Sequence, residues 1–210
     1  MDKPPRSSEA ARFPGARCAV GRFDRLVDRS FSSLRGHRLP DRVFYAASAL
    51  GEHSLVWFLL AGVRALRADG ERDRRAAARA AVGLSLEWVV VNGGLKSLVG
   101  RSRPTAPGAR PHYLRVPRSS SFPSGHASSS AFAAIVLGEG DPWWPAYAAL
   151  SLVITASRVH VRIHHASDVL AGAATGLALG VLARRLAPLG PGRARPPGPL
   201  SSPTPPVSRS

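Results

Sequence analysis

Apolar segments with abrupt polar borders occupy the middle of this chain and restrict its fold to a helical bundle. They cover residues 43–66, 76–99, 124–138, 143–159 and 169–187. The first is 24 residues long, which as an α-helix extends roughly 36 Å, enough to cross a bilayer. Small residues in the last segment, such as Gly172, Gly176 and Gly180, favour close helix contacts inside a membrane. We therefore predict an all-α, polytopic transmembrane bundle of about five spans, forming one domain over residues 43–187.

The alternative is a soluble helical protein whose Ala-rich helices are buried. Residues 124–138 are short for a span, and polar residues interrupt two other segments: Glu52, His53, Glu87 and Asn92. Polar groups within a span usually face the bundle interior, so they do not exclude a membrane protein. The pair Glu52 and His53 either lines a substrate entrance or makes a structural hydrogen bond.

The flanking regions differ from the bundle in composition. Residues 1–17 and the Pro-rich residues 188–210 contain little that can be buried, which predicts disordered tails. Residues 18–36 space six apolar side chains at helical intervals, with Arg and Asp between them: Val20, Phe23, Leu26, Val27, Phe31 and Leu34. This pattern predicts an amphipathic helix on the membrane surface. A helix packed on a protein core would show the same pattern.

The charge balance favours an anionic partner. Lys and Arg number 29 against 13 Asp and Glu, a formal net charge of +16, which fits nucleic acid, anionic lipid or a phosphorylated substrate. Aromatic residues make up 7% of the chain and concentrate in the apolar segments, which leaves no stacking platform for nucleic acid. We expect a bilayer with anionic lipids and no nucleic-acid partner. A non-catalytic basic membrane or nucleic-acid binding protein is the alternative function. The single cysteine, Cys18, excludes a disulfide framework within the chain.

Reactive side chains lie at the borders of the apolar segments. In chain order they are Lys96, Arg101, Arg103, Ser124, Gly125, His126, Arg158, His160, Arg162, His164, His165 and Asp168. Successive spans alternate in direction. The end of the second span, the start of the third, the end of the fourth and the start of the fifth therefore share one membrane face. We expect these side chains to form one cluster.

The cluster combines several fixed cations with imidazoles and one carboxylate. His160, His164, His165 and Asp168 could bind a metal ion, but the neighbouring Lys and Arg side chains would repel it. An anion with several oxygens fits better, because Arg forks match phosphate geometry. Gly125 at a helix start lets backbone N–H groups approach such an anion. We predict a phosphate site without a metal or cofactor.

Two histidines in this cluster suit phosphoryl transfer. His164 and Asp168 stand four residues apart and share a face if a helix begins near His164. A carboxylate there can hold the imidazole in one tautomer and leave the other nitrogen free to attack. His126, from another helix, can donate a proton. The pattern predicts a covalent phosphohistidine.

Three fixed patterns occur in this order along the chain. Residues 96–104 match K-x6-R-P, residues 123–126 match P-S-G-H, and residues 157–168 match S-R-x5-H-x3-D. Together they resemble the signature of the type-2 phosphatidic acid phosphatase superfamily, which includes membrane lipid phosphatases, some soluble acid phosphatases and vanadium haloperoxidases. The resemblance covers about residues 43–186.

The resemblance implies a role for each matching residue. His164 would be the nucleophile, Asp168 would orient it, and His126 would protonate the leaving alkoxide and then help to activate water. The phosphoryl oxygens would be bound by Lys96, Arg103, Arg158, Ser124 and the Gly125 N–H. Outside the motif spacing, we interpret His160 and His165 as packing or rim residues, and Arg101 and Arg162 as sources of positive potential only.

Apolar spans and small size argue against a haloperoxidase and favour a membrane lipid phosphatase. Polyprenyl phosphates or diphosphates, a polyprenyl-phosphoryl pentose phosphate, phosphatidylglycerol phosphate and phosphatidate all fit as substrates. With five spans, the N-terminus and the cluster lie on the same side of the membrane. Residues 1–42 carry ten Lys or Arg, which favours a cytoplasmic site. The sequence does not indicate an oligomeric state.

Overall fold

The computed structural model describes residues 14–67, 70–105, 110–114, 116–117 and 119–190. Their helices are α1 (Pro14–Ser32), α2 (Arg38–Leu50), α3 (Leu55–Arg67), α4 (Glu71–Trp88), α5 (Lys96–Leu98), α6 (Gly125–Gly138), α7 (Trp144–His160) and α8 (Ala166–Leu186). Loops and short helical turns connect them, so the predicted all-α class is confirmed. Most of both predicted tails, residues 1–13 and 191–210, lies outside the described residues. Helix α1 begins at Pro14, before the predicted boundary at residue 18.

The first apolar segment is not one straight helix, which corrects the prediction for residues 43–66. Helices α2 and α3 are bent by 59° at the turn Glu52–Ser54. His53 and Ser54 have φ angles of 52° and 58°, in the left-handed region that ends a right-handed helix. A Cβ at Gly51 would lie 2.8 Å from Cγ2 of Ile154 and 2.9 Å from Cδ2 of His126. The break therefore packs directly on α6 and α7.

The second apolar segment follows a helical path that changes its winding. The π-helical segment Val89–Leu95 joins α4 to α5. Such turns are rare and often occur at functional sites. Here the segment contains Asn92, and Lys96 follows directly after its last residue.

Helix α6 lies at the centre of the bundle and packs on α8, α7, α4 and α3. A Cβ at Gly172 would lie 2.3 Å from the Ser124 carbonyl oxygen, and one at Gly176 would lie 2.0 Å from that of Ser128. No Cβ atom tolerates such distances, so the glycines let the backbones of α6 and α8 touch. The beginnings of these two helices are thereby held side by side.

Helix α1 packs on the protein. Val27 and Phe31 lie against the buried cluster of Ala127, Val159, Ala166 and Val169. Asp24 is also buried on this face. The amphipathic pattern thus has a packing partner at the ends of α7 and α8, the alternative that the sequence left open.

Among the described helices, α8 is long and apolar enough to cross a membrane. The bent pair of α2 and α3 adds a second crossing if it counts as one span. The count of five spans stays a prediction.

Candidate active site

One cavity of about 550 Å³ lies where the helix ends converge. Its walls come from the break between α2 and α3, the π-helical segment, the start of α6, the end of α7 and the turn before α8. Of the predicted site residues it is lined by Lys96, Arg103, Gly125, His126, Arg158 and His164. The structure thus brings together side chains that are up to 68 positions apart (164 − 96 = 68).

The imidazole of His164 is fixed by contacts to both of its nitrogens. Nδ1 lies 2.6 Å from the Ser121 carbonyl oxygen, which can only accept, so Nδ1 carries the hydrogen. Nε2 faces the cavity, 3.3 Å from Nη1 of Arg103. With the hydrogen on Nδ1, Nε2 keeps its lone pair, which Arg103 approaches as a donor.

Ser121 is itself anchored to the segment that follows Lys96. Its N–H donates to the Arg101 carbonyl at 2.9 Å, and its hydroxyl donates to the Ser102 carbonyl at 3.0 Å. This contact to His164 could not be predicted from the sequence, because every residue has a backbone carbonyl.

Asp168 lies behind His164, fully buried in the first turn of α8. Its Oδ2 is 3.8 Å from Nδ1 of His164 and accepts a hydrogen bond from the N–H of His165 at 2.9 Å. His164 precedes α8, which begins at Ala166 with His165 as its N-cap, so the two side chains meet through the turn before the helix and not on a shared helical face. Asp168 acts on the imidazole through its charge, while Ser121 provides the shorter contact.

Each cation at the cavity is held by a neighbour. Nη1 of Arg158, which is buried, donates to the Ser48 hydroxyl on α2. Arg103 donates to the Ile163 carbonyl at 3.1 Å, and Nζ of Lys96 donates to Oδ1 of Asn92 at 2.7 Å. These contacts fix the positive charges before any anion binds. Asn92 and Lys96 are four apart on a helical path, a spacing from which this contact could have been predicted; Ser48 gives no such indication.

The start of α6 presents Gly125 and His126 to the cavity, but not Ser124. Ser124 is buried, and its hydroxyl accepts from the N–H of Ala127 at 3.4 Å, which caps α6. A Cβ at Gly125 would lie 3.2 Å from Oδ1 of Asn92, so the glycine allows this close approach. A phosphate contact from Ser124 stays a prediction.

His126 has a ring nitrogen that is available to a ligand. Its Nε2 is buried and has no hydrogen-bond partner among the described residues. Because His126 lines the same cavity as His164, a group placed between them can contact both. Such an unsatisfied polar atom carries a desolvation cost that a bound ligand can relieve.

The cavity also contains acceptors. Glu52, His53 and Glu87 line it, so the pair in the first apolar segment does lie at the site. Oε1 of Glu87 is buried without a hydrogen-bond partner among the described residues. The cavity therefore contains both cations and carboxylates, a combination that suits an anion attached to a group with hydroxyls.

Three other members of the predicted cluster, His160, Arg162 and Arg101, do not line this cavity. Nε2 of His160 lies 2.8 Å from Oδ1 of Asp41, and its ring stacks on Phe44 at 4.5 Å, so His160 is a packing residue. Arg162 pairs with Asp28 at 3.4 Å. Arg101 does more than add potential, which corrects our interpretation, since it forms ion pairs with two carboxylates. No group of three or more His, Cys, Asp or Glu within the described ranges is placed to hold a metal ion.

Burial sets the protonation state of His164. It lowers the pKa of His164 to about 4, and the charges of Arg158 and Arg103 act in the same direction, against the opposing effect of Asp168. The imidazole is therefore neutral at neutral pH, as a nucleophile must be. One cavity thus combines fixed cations, a neutral histidine and a second histidine, a set of groups that can bind a phosphoryl group and act on it.

The family of the chain follows from a direct match. The model of the PAP2 superfamily matches residues 76–189, more than half of the chain, and the chain belongs to this superfamily. It is a phosphatase.

Named relatives are similar over much of their length. The chain is 31% identical over 145 residues to a decaprenylphosphoryl-5-phosphoribose phosphatase of Mycobacterium tuberculosis, covering 64% of this chain and 73% of that one. It is 35% identical over 127 residues to the protein of the same name from Mycolicibacterium smegmatis, covering 60% and 68%.

Two solved structures share the fold. A transmembrane PAP2-type phosphatidylglycerolphosphate phosphatase from Bacillus subtilis has a TM-score of 0.61 and 19% identity, over 84% of this chain and 88% of that one. Aquifex aeolicus LpxE has a TM-score of 0.60 and 24% identity, over 78% and 93%.

Proposed function

We propose that this chain is an integral membrane lipid phosphatase that works through a phosphohistidine and needs no metal. The observation that carries the proposal is the placement of two imidazoles in one cavity with three fixed cations. Nε2 of His164 lies 3.3 Å from Arg103, and Nε2 of His126 is free of partners among the described residues. A phosphoryl group between them would meet a nucleophile on one side and a proton donor on the other.

In the first step, the Nε2 lone pair of His164 attacks phosphorus and the bond from phosphorus to the lipid oxygen breaks. The leaving alkoxide takes a proton from protonated His126. Lys96, Arg103 and Arg158 stabilise the negative charge on the phosphoryl oxygens, and each preorganised donor contributes on the order of 10²–10³ in rate.

In the second step, His126, now neutral, accepts a proton from water as the water oxygen attacks phosphorus. The bond from phosphorus to Nε2 of His164 breaks and inorganic phosphate leaves. Asp168 stabilises the positive charge that the imidazole carries in the intermediate, because its carboxylate lies 3.8 Å from Nδ1.

For the substrate, we propose a lipid whose terminal phosphate is carried by a hydroxylated headgroup. Within this class, our first candidate is a polyprenyl-phosphoryl pentose phosphate. Relatives with 31–35% identity are named decaprenylphosphoryl-5-phosphoribose phosphatase. Glu52 and Glu87, beside the cations, offer oxygens to sugar hydroxyls. Polyprenyl phosphates, diphosphates and phosphatidate-type lipids are the other members of the class.

A membrane location agrees with the outer surface of the bundle. Large apolar side chains are exposed on separate helices, with Leu59 70% exposed, Leu152 69% and Leu170 59%. Exposed apolar surface of this extent fits contact with lipid. We propose a multi-pass protein of the cell membrane whose site faces the side of the N-terminus, the cytoplasm.

Phosphate release from the detergent-solubilised full chain tests the function. We expect turnover of a polyprenyl-phosphoryl pentose phosphate in EDTA, with inhibition by vanadate. His164→Ala should lower the rate by more than about 10³-fold, because no nucleophile remains. Phosphatidate and a polyprenyl diphosphate, assayed in parallel, rank the substrates.

His37→Ala is the control, since His37 is exposed, does not line this cavity and makes no side-chain cap hydrogen bond, and it should retain activity. Full activity of His164→Ala would refute the phosphohistidine. Loss of activity in EDTA, restored by a divalent cation, would refute metal independence. Lipid binding without any phosphate release would favour the non-catalytic alternative.

A further inference from the structure

Helix α1 contributes a buried carboxylate to the rear of the active site, although it precedes the residues matched by the family. Asp24 is 7% exposed and makes three hydrogen bonds. It accepts from Nη2 of Arg101 at 2.7 Å, from the N–H of Ser167 at 2.8 Å and from the Ser167 hydroxyl at 2.9 Å. So many charge-assisted contacts fix Asp24 and its partners in one geometry.

Arg101 spans two carboxylates with its two terminal nitrogens. Nη2 contacts Asp24, while Nη1 lies 2.5 Å from Oδ1 of Asp168 and 2.7 Å from the hydroxyl of Ser167. Asp168 in turn lies behind His164. The charges therefore alternate along a line from α1 to the imidazole: Asp24, Arg101, Asp168 and His164.

We propose that Asp24 and Arg101 are positioning residues that set how strongly Asp168 supports the positive charge on His164 during phosphoryl transfer. This inference rests on the proposed phosphatase mechanism. An arginine paired with Asp168 alone would cancel much of the carboxylate charge. Asp24 shares the guanidinium, so that Asp168 stays fixed in place and keeps its effect on the imidazole.

A second cavity, of about 300 Å³, is lined by residues of α1 and by Arg101 and also reaches His164. The charged or titratable groups around His164 fall into three sets. On the substrate side they are Lys96, Arg103, His126, Arg158, Glu52, His53 and Glu87, behind it Asp168, and on the side of α1 Asp24, Arg25, Asp28, Arg101 and His165. Only Arg101 bonds to both Asp24 and Asp168 among the described residues. The effect of Asp24 on His164 should therefore pass through Arg101.

The alternating charges determine whether each substitution raises or lowers the pKa of His164. Arg101→Gln removes a cation beside Asp168, so Asp168 supports a protonated His164 better and the pKa of His164 rises. Asp24→Asn leaves the guanidinium to Asp168 alone, so that support weakens and the pKa falls. If Arg101 and Asp24 only held α1 in place, the two substitutions would not shift the pKa of His164 in opposite directions.

The experiment measures protonation of His164 without turnover. Carbethoxylation requires a neutral imidazole, and peptide mass spectrometry gives its extent at His164 from pH 3 to 7, with vanadate protection to identify the site. We expect Arg101→Gln to move the midpoint up by about one pH unit. Asp24→Asn should not raise this midpoint. It should lower kcat about tenfold with little change in KM.

A double substitution supplies the decisive comparison, because Asp24→Asn should add little to Arg101→Gln if Asp24 acts through Arg101. Arg101→Lys keeps the charge but lacks the planar fork whose two nitrogens bond to separate carboxylates. It should lower kcat, and it tests the inference if Asp24→Asn does not fold. Asp28→Asn, one turn further on α1, is the control and should leave the midpoint of His164 unchanged.

Equal midpoints in wild type, Arg101→Gln and Asp24→Asn would overturn the inference, as would additive losses of kcat in the double variant. Failure of the proposed function looks different, because wild type would then release no phosphate from any lipid while its midpoints could still be measured.

Discussion

His164 takes its orientation from a backbone carbonyl and its charge environment from side chains. Ser121 accepts the Nδ1 hydrogen at 2.6 Å, so the tautomer does not depend on Asp168. Arg103 and Arg158 oppose protonation, and Asp168 favours it. The proposed nucleophile is thus neutral before a substrate binds, and Asp168 is placed to stabilise the positive charge that the imidazole would gain on phosphorylation.

This balance predicts the pH dependence of the free protein. With the pKa of His164 lowered to about 4, the imidazole stays neutral as the pH falls from 7 and is protonated only near pH 4. Carbethoxylation of His164, followed by peptide mass spectrometry, should therefore decline near pH 4 and not near 6.5, the ordinary value. His37, which is exposed, supplies the curve of a surface histidine in the same sample.

Asp168→Asn removes the group that favours protonation, so the midpoint of His164 should move to lower pH. A midpoint near 6.5 in wild type would contradict the burial of the imidazole.

The sequence predicted the side chains of the site better than their contacts. Lys96, Arg103, His126, Arg158 and His164 line one cavity as expected, because alternating helices must bring their ends together. The carbonyl of Ser121 and the hydroxyl of Ser48 were not predicted, since their roles depend on loop paths and helix packing that no residue type encodes.

The contact between α6 and α8 fixes the position of His126, on α6, relative to His164, which lies just before α8. Gly176 faces the Ser128 carbonyl so closely that a Cβ would lie 2.0 Å from the oxygen. We expect Gly176→Ala to force the helices apart, to cost about 1–3 kcal/mol or more and to lower the melting temperature in detergent. Activity should fall with it, because α8 carries Asp168 and α6 carries His126.

Gly62→Ala is the matched control on α3, where no atom lies within 4 Å of the added Cβ, and it should leave the melting temperature unchanged or raised. Equal melting temperatures for Gly176→Ala and wild type would refute the close contact.

At the scale of the helices, hydropathy predicted some segments correctly and others wrongly. The sequence predicted helical segments close to α6, α7 and α8, because each is a single apolar run with clear borders. It missed the break at Glu52–Ser54, although Glu52 and His53 interrupt the apolar run at that point, because polar residues within a span were expected to face the bundle interior without bending the helix. It also missed the π-helical segment, whose winding has no fixed sequence pattern.

At the scale of the molecule, the site lies at one end of the bundle, with the N-terminal helix packed beside it. The positive-inside rule then predicts a cytoplasmic site. Cys18 is the single cysteine, so Cys18→Ser gives a cysteine-free background for labelling. A cysteine placed by Pro111→Cys, in the loop before α6, should react with an impermeant thiol reagent only after cells are opened.

Pro142→Cys, between α6 and α7 at the other end of the bundle, should react in intact cells. Labelling of Pro111→Cys from outside would place the site on the outer face.

The contact between α1 and the catalytic end has a consequence for any shortened form of the enzyme. A fragment limited to the matched residues, 76–189, would retain all three sequence motifs. It would lack Asp24, which pairs with Arg101, and Ser48, which holds Arg158. We expect such a fragment to be inert despite its intact motifs, so that the smallest working unit begins at α1.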